Sequence, residues 1–381
     1  MNTKTSHLKA STLCFLLIVA ALHIFTFVIM PITTGRVEKA HGFVNKKFLS
    51  VQKVFEKNFL DGFERDGANF AVFHKNKAVV NLWAGNADTK AGKAWTKQTR
   101  SILFSVTKPL SGLCIAILAD RGYLNYEDPV SKYWPEFGQN GYHPVTYGWL
   151  IDGIIRSVDP KGRTLKQFFK EEIAQPYGLD IDIGSDPSES YRNTYFTLPS
   201  IKEYIRDIII DPRIIPMLFL IKLQHPEAII NKVGKNPKFL DIDLDDFPFN
   251  DPAIQELSIG SATGVSNAYN LARLFSFVTE GKMLSSKMLS KISRPSLETW
   301  HIEKTVIYPV MKGHGFFYEY HPTHSGHYTF GHPGFGCQGL YIDKENELVI
   351  TYLSNSIKTA TSYLCLPYQR LIEETYRSIR Q

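Results

Sequence analysis

The chain predicts an α+β protein in which an antiparallel sheet, built from both chain ends, is flanked by helices and carries an inserted helical lobe. Three observations point there. β-rich runs lie at the two ends: Phe70 to His74 with Ala78 to Trp83 near the start, and four more between Gly315 and Leu353. Apolar segments of helical period fill the middle, so that strands at both ends enclose helices. The C-terminus closes with Leu364, Tyr368, Leu371, Ile372, Tyr376 and Ile379, one apolar stripe of an amphipathic helix.

Composition fits a large buried core. Of 381 residues, 44% are hydrophobic and 13% aromatic, a globular profile. The net charge of +6 arises from 43 basic and 37 acidic residues spread along the chain, and no dense basic run marks a nucleic-acid partner. Cys14, Cys114, Cys337 and Cys365 are too few for a disulfide framework and lack paired metal spacing; the redox compartment stays open. No cofactor motif appears.

From Leu13 to Met30 no Asp, Glu, Lys or Arg occurs. Such a stretch, if helical, covers about 27 Å, close to the ~30 Å core of a bilayer. Residues 1–35 therefore read as an uncleaved single-pass membrane anchor with its flank, a cleaved secretory signal being the alternative, and 36–381 as one catalytic domain with its helical lobe at about 123–270. Arg36, Lys39, Lys46 and Lys47 outnumber Lys4 and Lys9, a bias toward a cytoplasmic domain that the signal-like look of the segment opposes.

In chain order, Phe48, Val51, Phe55 and Phe59 give a helix over 44–61. Lys75-Asn76-Lys77 joins the first two strands as a hairpin, and a polar loop runs from Asn86 to Arg100. An apolar helix begins near Ser105 and ends at Gly122; others are expected at 145–157 and 165–173, with a polar, turn-rich stretch at 180–200. The apolar run 201–223 is interrupted by Asp211-Pro212-Arg213 and Pro216, which argues for buried helices or a lid rather than a second span. After an acidic loop at 241–251 and Gly260-Ser261-Ala262-Thr263-Gly264, Asn267 caps a helix that stops at Gly281.

The chemistry is sought at Ser105-Val106-Thr107-Lys108. Residues three apart on a helix share a face, so an amine lies within reach of a hydroxyl. Pro109 is tolerated only in a first turn, which sets the helix start there, and a desolvated lysine near the positive helix end loses its proton readily. The spacing alone is weak, since it recurs at Ser6–Lys9 and Ser50–Lys53, and Ser105 could simply cap the helix. His321, His324 and His327 suggest a metal, but without a fixed carboxylate or cysteine nearby they read as solvated loop histidines.

Taken together, Ser105–Lys108 opening an apolar helix, Tyr142-His143-Pro144-Val145-Thr146-Tyr147-Gly148-Trp149, and Phe330-Gly331-His332-Pro333-Gly334-Phe335-Gly336 resemble, in order, the three motifs of the serine β-lactamase and penicillin-binding protein family, in its class C-like esterase and carboxypeptidase branch. The resemblance covers about residues 45–380. It implies a serine hydrolase acting on a small ester or peptide-like substrate without metal or cofactor. Ser105 is then the nucleophile, Lys108 its activating partner and Tyr142 the second base. His332 replaces the strand lysine, Gly334 lets substrate approach, and the backbone N–H groups of Ser105 and Phe335 form the oxyanion hole.

Two departures stand out. Pro144 offers no amide where lactamases often carry asparagine. Residues 109–141 are dozens shorter than the family's connection, which raises the alternative of a catalytically impaired binding or scaffolding module and predicts an exposed apolar patch near Leu113 and Ile117.

Overall fold

The structure, a computed structural model, describes residues 2–133, 145–216, 247–299, 301–303, 308–360 and 364–380. Tyr142, His143 and Pro144 of the second motif lie outside the described residues.

The hairpin forms as the alternation requires. β2 (Gly67–His74) and β3 (Lys77–Asp88) pair antiparallel, with Lys75 and Asn76 both at positive φ, the conformation that matches a tight turn to strand twist. The C-terminal runs become β10 (Phe316–Tyr320), β11 (Tyr328–Pro333), β12 (Gly339–Asp343) and β13 (Leu348–Ser354). β13 lies directly beside β2, Ile350 opposite Val72, so the two chain ends form the centre of one sheet. With β1 (His41–Val44), β4 (Lys93–Ala94), β8 (His301–Glu303) and β9 (Tyr308–Gly313), the order is β1-β3-β2-β13-β12-β11-β10-β9-β8, β4 pairing with β3. β13 is buried along its whole length because helices cover both faces.

On one face, α3 (Leu49–Leu60) and the C-terminal helix Leu366–Arg380 bury Phe55, Phe59, Leu371 and Tyr376 against Phe70, Val80 and Ile350. On the other, α4 (Thr107–Asp120) and the capped helix Ala268–Thr279 pack with α5 (Tyr147–Val158) and α6 (Leu165–Phe169) in the main core.

Several expectations need correction. Leu113 and Ile117 are buried, at 0% and 5% exposure, because Ile155, Phe168 and neighbouring residues of the lobe close over α4. The polar stretch 180–200 contains β6 (Ile181–Ile183), which joins β5 (Ser101–Ile102) and β7 (Gly264–Ser266) in a second small sheet. The loop after Asn86 is partly strand, bent by an irregularity between Asn86 and Asp88. Cys337 and Cys365 form a disulfide. His321 is no solvated histidine; its ring is buried against the Asp343 carboxylate at 3.0 Å, and among the described residues no group of side chains could hold a metal.

The N-terminal run is helical, but as three pieces rather than one span: α1 (Asn2–Ile24), a π-helical turn Phe25–Ile29 and α2 (Met30–Thr34). Pro31 cannot donate to the preceding turn, and a widened turn absorbs the defect. Thr26 and Met30 are buried, and the π turn packs on α7 (Ile201–Ile210). Among the described residues no helix is long and apolar enough to cross a membrane.

Candidate active site

The serine sits in a 3₁₀ turn, Phe104–Val106, that leads directly into α4. Phe104 has φ of +46°, unusual for a residue with a bulky side chain and characteristic of backbone that its surroundings hold in place. The holding group is aromatic: the Phe104 ring lies 4.9 Å from Phe249, 5.0 Å from Phe196 and 5.7 Å from Phe335. The sharp turn lifts Ser105 to a half-buried position while both neighbours are buried.

One turn on, Lys108 is buried, and its Nζ donates to Ser105 Oγ at 3.2 Å and to the Ser261 carbonyl at 3.1 Å. Burial drives its pKa down to about 7. The Tyr147 ring is 5.9 Å from the amine. The loop Gly260–Gly264 is the seat of α4. Ser111 Oγ donates to the Gly260 carbonyl at 2.5 Å, and the Gly264 N–H donates to Thr107 Oγ1 at 2.9 Å. A Cβ on Gly260 would lie 2.2 Å from the Leu165 side chain and 2.8 Å from Ser111 Oγ, so a larger residue would push on the Ser111 contact that seats the helix.

His332, on β11, is 3% exposed and lies where the Lys108 charge acts on it. Burial first and that charge second hold its pKa down to about 3. Its Nδ1–H donates to the Pro333 carbonyl at 2.6 Å, which leaves Nε2 as an acceptor. The side chain is thus a neutral acceptor and cannot supply the positive charge of a strand lysine. Gly334 also has a reason other than substrate approach: a Cβ there would lie 2.8 Å from the Leu103 carbonyl and 3.2 Å from Val106. The glycine lets the strand end close on the serine turn. Phe335 follows, 40% exposed and stacked on Phe247 with ring centroids 6.1 Å apart.

The structure therefore brings together Ser105, Lys108, His332, Gly334 and Phe335, and adds Phe104, Tyr147 and the Ser261 carbonyl. A positive φ and a carbonyl contact across the lobe leave no mark in local residue pattern. A serine beside a buried, readily deprotonated amine, backed by the C-terminal end of β11, is an arrangement suited to nucleophilic attack on a carbonyl.

The sequence model of the beta-lactamase family matches residues 55–151 and 138–371, and the chain belongs to that family of serine hydrolases, which includes esterases and penicillin-binding proteins. A curated relative is "Esterase/beta-lactamase LipL" of Mycobacterium tuberculosis, 23% identical over 389 aligned positions, with 84% of this chain and 83% of that one covered. Among solved structures, a penicillin-binding protein homologue from Caulobacter crescentus superposes with a TM-score of 0.72 at 26% identity, covering 89% of this chain and 99% of that one. A family VIII carboxylesterase superposes with a TM-score of 0.68 at 21% identity, over 89% and 99% of the two chains, and supports the fold.

Proposed function

We propose that the protein is a hydrolase of ester or amide bonds that works through an acyl-enzyme on Ser105. The observation that carries this reading is the 3.2 Å contact between Ser105 Oγ and a buried Lys108 whose pKa lies near 7. A neutral Lys108 takes the hydroxyl proton as Oγ attacks the carbonyl carbon. The carbonyl oxygen gains the charge, which the N–H groups of Ser105 and Phe335 are suited to receive. Collapse of the tetrahedral species expels the alcohol or amine, which takes up a proton through Tyr142, and water then releases the acid from Ser105. Because His332 is a neutral acceptor, the site favours substrates that lack a carboxylate beside the scissile bond.

A fluorophosphonate probe is expected to label the protein and to lose its label in Ser105→Ala; labelling that survives this change would defeat the assignment. If well-folded wild-type protein takes no acyl probe, the short 109–141 connection has left a binding or scaffolding module instead.

The apolar segment 13–30 is proposed to attach the enzyme to a membrane. Support comes from its lack of Asp, Glu, Lys and Arg and from exposed Leu13, Phe15, Leu16, Leu17 and Ile18 on α1. The Cys337–Cys365 bridge supports a catalytic domain on the oxidising side. Carbonate extraction of membranes tests attachment, and protease protection of sealed vesicles tests the side.

A further inference from the structure

The turn that closes the third motif carries two successive residues in the left-handed region. Gly334 is still extended, but Gly336 has φ of +71° and Cys337 φ of +82°. Glycine takes this conformation freely, and a Cβ on Gly336 would in any case lie 2.5 Å from the Ile357 side chain. A residue with a Cβ is disfavoured there by roughly 5–30-fold. Cys337 therefore needs its surroundings to hold it in place.

Hydrogen bonds fix the ends of the turn. The Gly334 N–H donates to the Gln338 carbonyl at 2.8 Å. The Gln338 side-chain amide donates to the Ser354 carbonyl at 2.6 Å, and its oxygen accepts from the Ser354 N–H at 3.0 Å. Between these ends Cys337 is buried and bridged to Cys365, which immediately precedes the C-terminal helix. That helix is moored in turn: Arg370 pairs with Asp61 at 2.9 Å, and Asn58 donates to the Pro367 carbonyl at 3.0 Å. The bridge thus ties the disfavoured residue of the turn to a helix packed on the sheet. Phe335 lies two positions before Cys337, and its ring is 40% exposed, so side-chain packing restrains it weakly. Relaxation of Cys337 toward negative φ would rotate the planar peptide units of this short turn and carry the Phe335 N–H with them.

We propose that the Cys337–Cys365 disulfide is a positioning brace for acyl transfer: it keeps Cys337 left-handed and so keeps the Phe335 N–H on the oxygen of the carbonyl that Ser105 attacks. The inference rests on the acyl-enzyme reading of the site. Without the bridge the turn populates conformations that misplace this donor, and turnover falls with the competent fraction. The test compares two variants of the full chain that cannot form the bridge, Cys337→Ala/Cys365→Ala and Cys337→Gly/Cys365→Ala, in hydrolysis of p-nitrophenyl butyrate per folded molecule. The alanine pair should lose about ten-fold in kcat with KM within about two-fold, the population cost of an unsupported left-handed residue. The glycine pair should stay within about three-fold of wild type, because glycine takes that φ unaided. A bridge that served stability alone would leave kcat per folded molecule unchanged in both. Should the alanine pair not fold, Cys365→Ala alone takes its place, since it leaves Cys337 unbridged. The proposal falls if that unbridged variant turns over at the wild-type kcat, or if the glycine pair is as slow as the alanine pair. Wild type that neither hydrolyses the ester nor takes a fluorophosphonate would remove the acyl-enzyme reading itself, and the brace with it.

Discussion

Two buried lysines in this molecule each lie close to a serine hydroxyl, and their surroundings set them to different uses. Lys108 Nζ is 3.2 Å from Ser105 Oγ, and Lys358 Nζ is 2.9 Å from Ser354 Oγ. Burial lowers the pKa of both. Lys358, however, also donates to the Glu64 carboxylate at 2.8 Å, and Glu64 pulls back toward the charged form. Glu64 in turn accepts from Tyr352 and Ser354, so the pair is a hydrogen-bonded clamp between the start of β2 and the end of β13. Lys108 has a backbone carbonyl in place of a carboxylate, and its ammonium is correspondingly easy to deprotonate. A serine near a buried lysine is thus no signature of catalysis by itself; the nature of the lysine's other partner decides.

The comparison can be broken from either side. The largest effect is expected from Glu64→Gln, which leaves Lys358 buried without its counter-ion and should cost roughly 3–5 kcal/mol of stability, read by urea unfolding. Hydrolysis per folded molecule should hardly change; a large specific loss would mean that the clamp is part of the site. Next comes Lys108→Ala, expected to slow acylation by about 10²-fold, or ~2.7 kcal/mol, while the fold survives. A variant acylating at the wild-type rate would remove Lys108 as base.

Lys108→Met sharpens the contrast through stability. The folded pKa of about 7 lies below the ordinary lysine value of 10.5, so the unfolded chain binds more protons between these limits and the wild type gains stability as pH rises through them. The variant should be more stable by about 2 kcal/mol at pH 7, after allowing for its lost hydrogen bonds, with the advantage shrinking toward pH 10. Equal or lower stability at pH 7 would contradict the shifted amine. The smallest effect is a pH profile: log kcat/KM should rise with unit slope below about pH 7 and level above it, and Lys108→Ala should lack that limb. A wild-type profile flat from pH 5 to 9 would exclude titration of Lys108 as the activating event.

Local pattern reached far because strands and helices declare themselves within a few residues. The hairpin at Lys75-Asn76 and the Asn267 cap formed where alternation and capping chemistry placed them, and the helix expected from Ser105 to Gly122 formed as Thr107–Asp120 behind the 3₁₀ turn that holds the serine. The three-residue strands β6 and β7 were missed, since each is too short to show a period and exists by pairing with the other. The apolar run 13–30 misled in part: its composition suits a span, but the Pro31 defect and the burial of Met30 belong to packing.

The sequence by itself offered the residues that could do chemistry, because three motifs in order set apart one hydroxyl and one amine, three positions apart, from the same spacing elsewhere in the chain. It likewise determined that both chain ends would be strand, because alternation and β-branching act over neighbouring residues. Only the tertiary structure decided what those groups became. The pKa of Lys108 depends on its burial, its position on a carbonyl 153 residues away, the φ of Phe104 on aromatic rings from distant loops, and the neutrality of His332 on burial first and on the charge across the cleft second. These are desolvation and long-range contact effects, set when the lobe closes on the sheet, and no window of local sequence contains them.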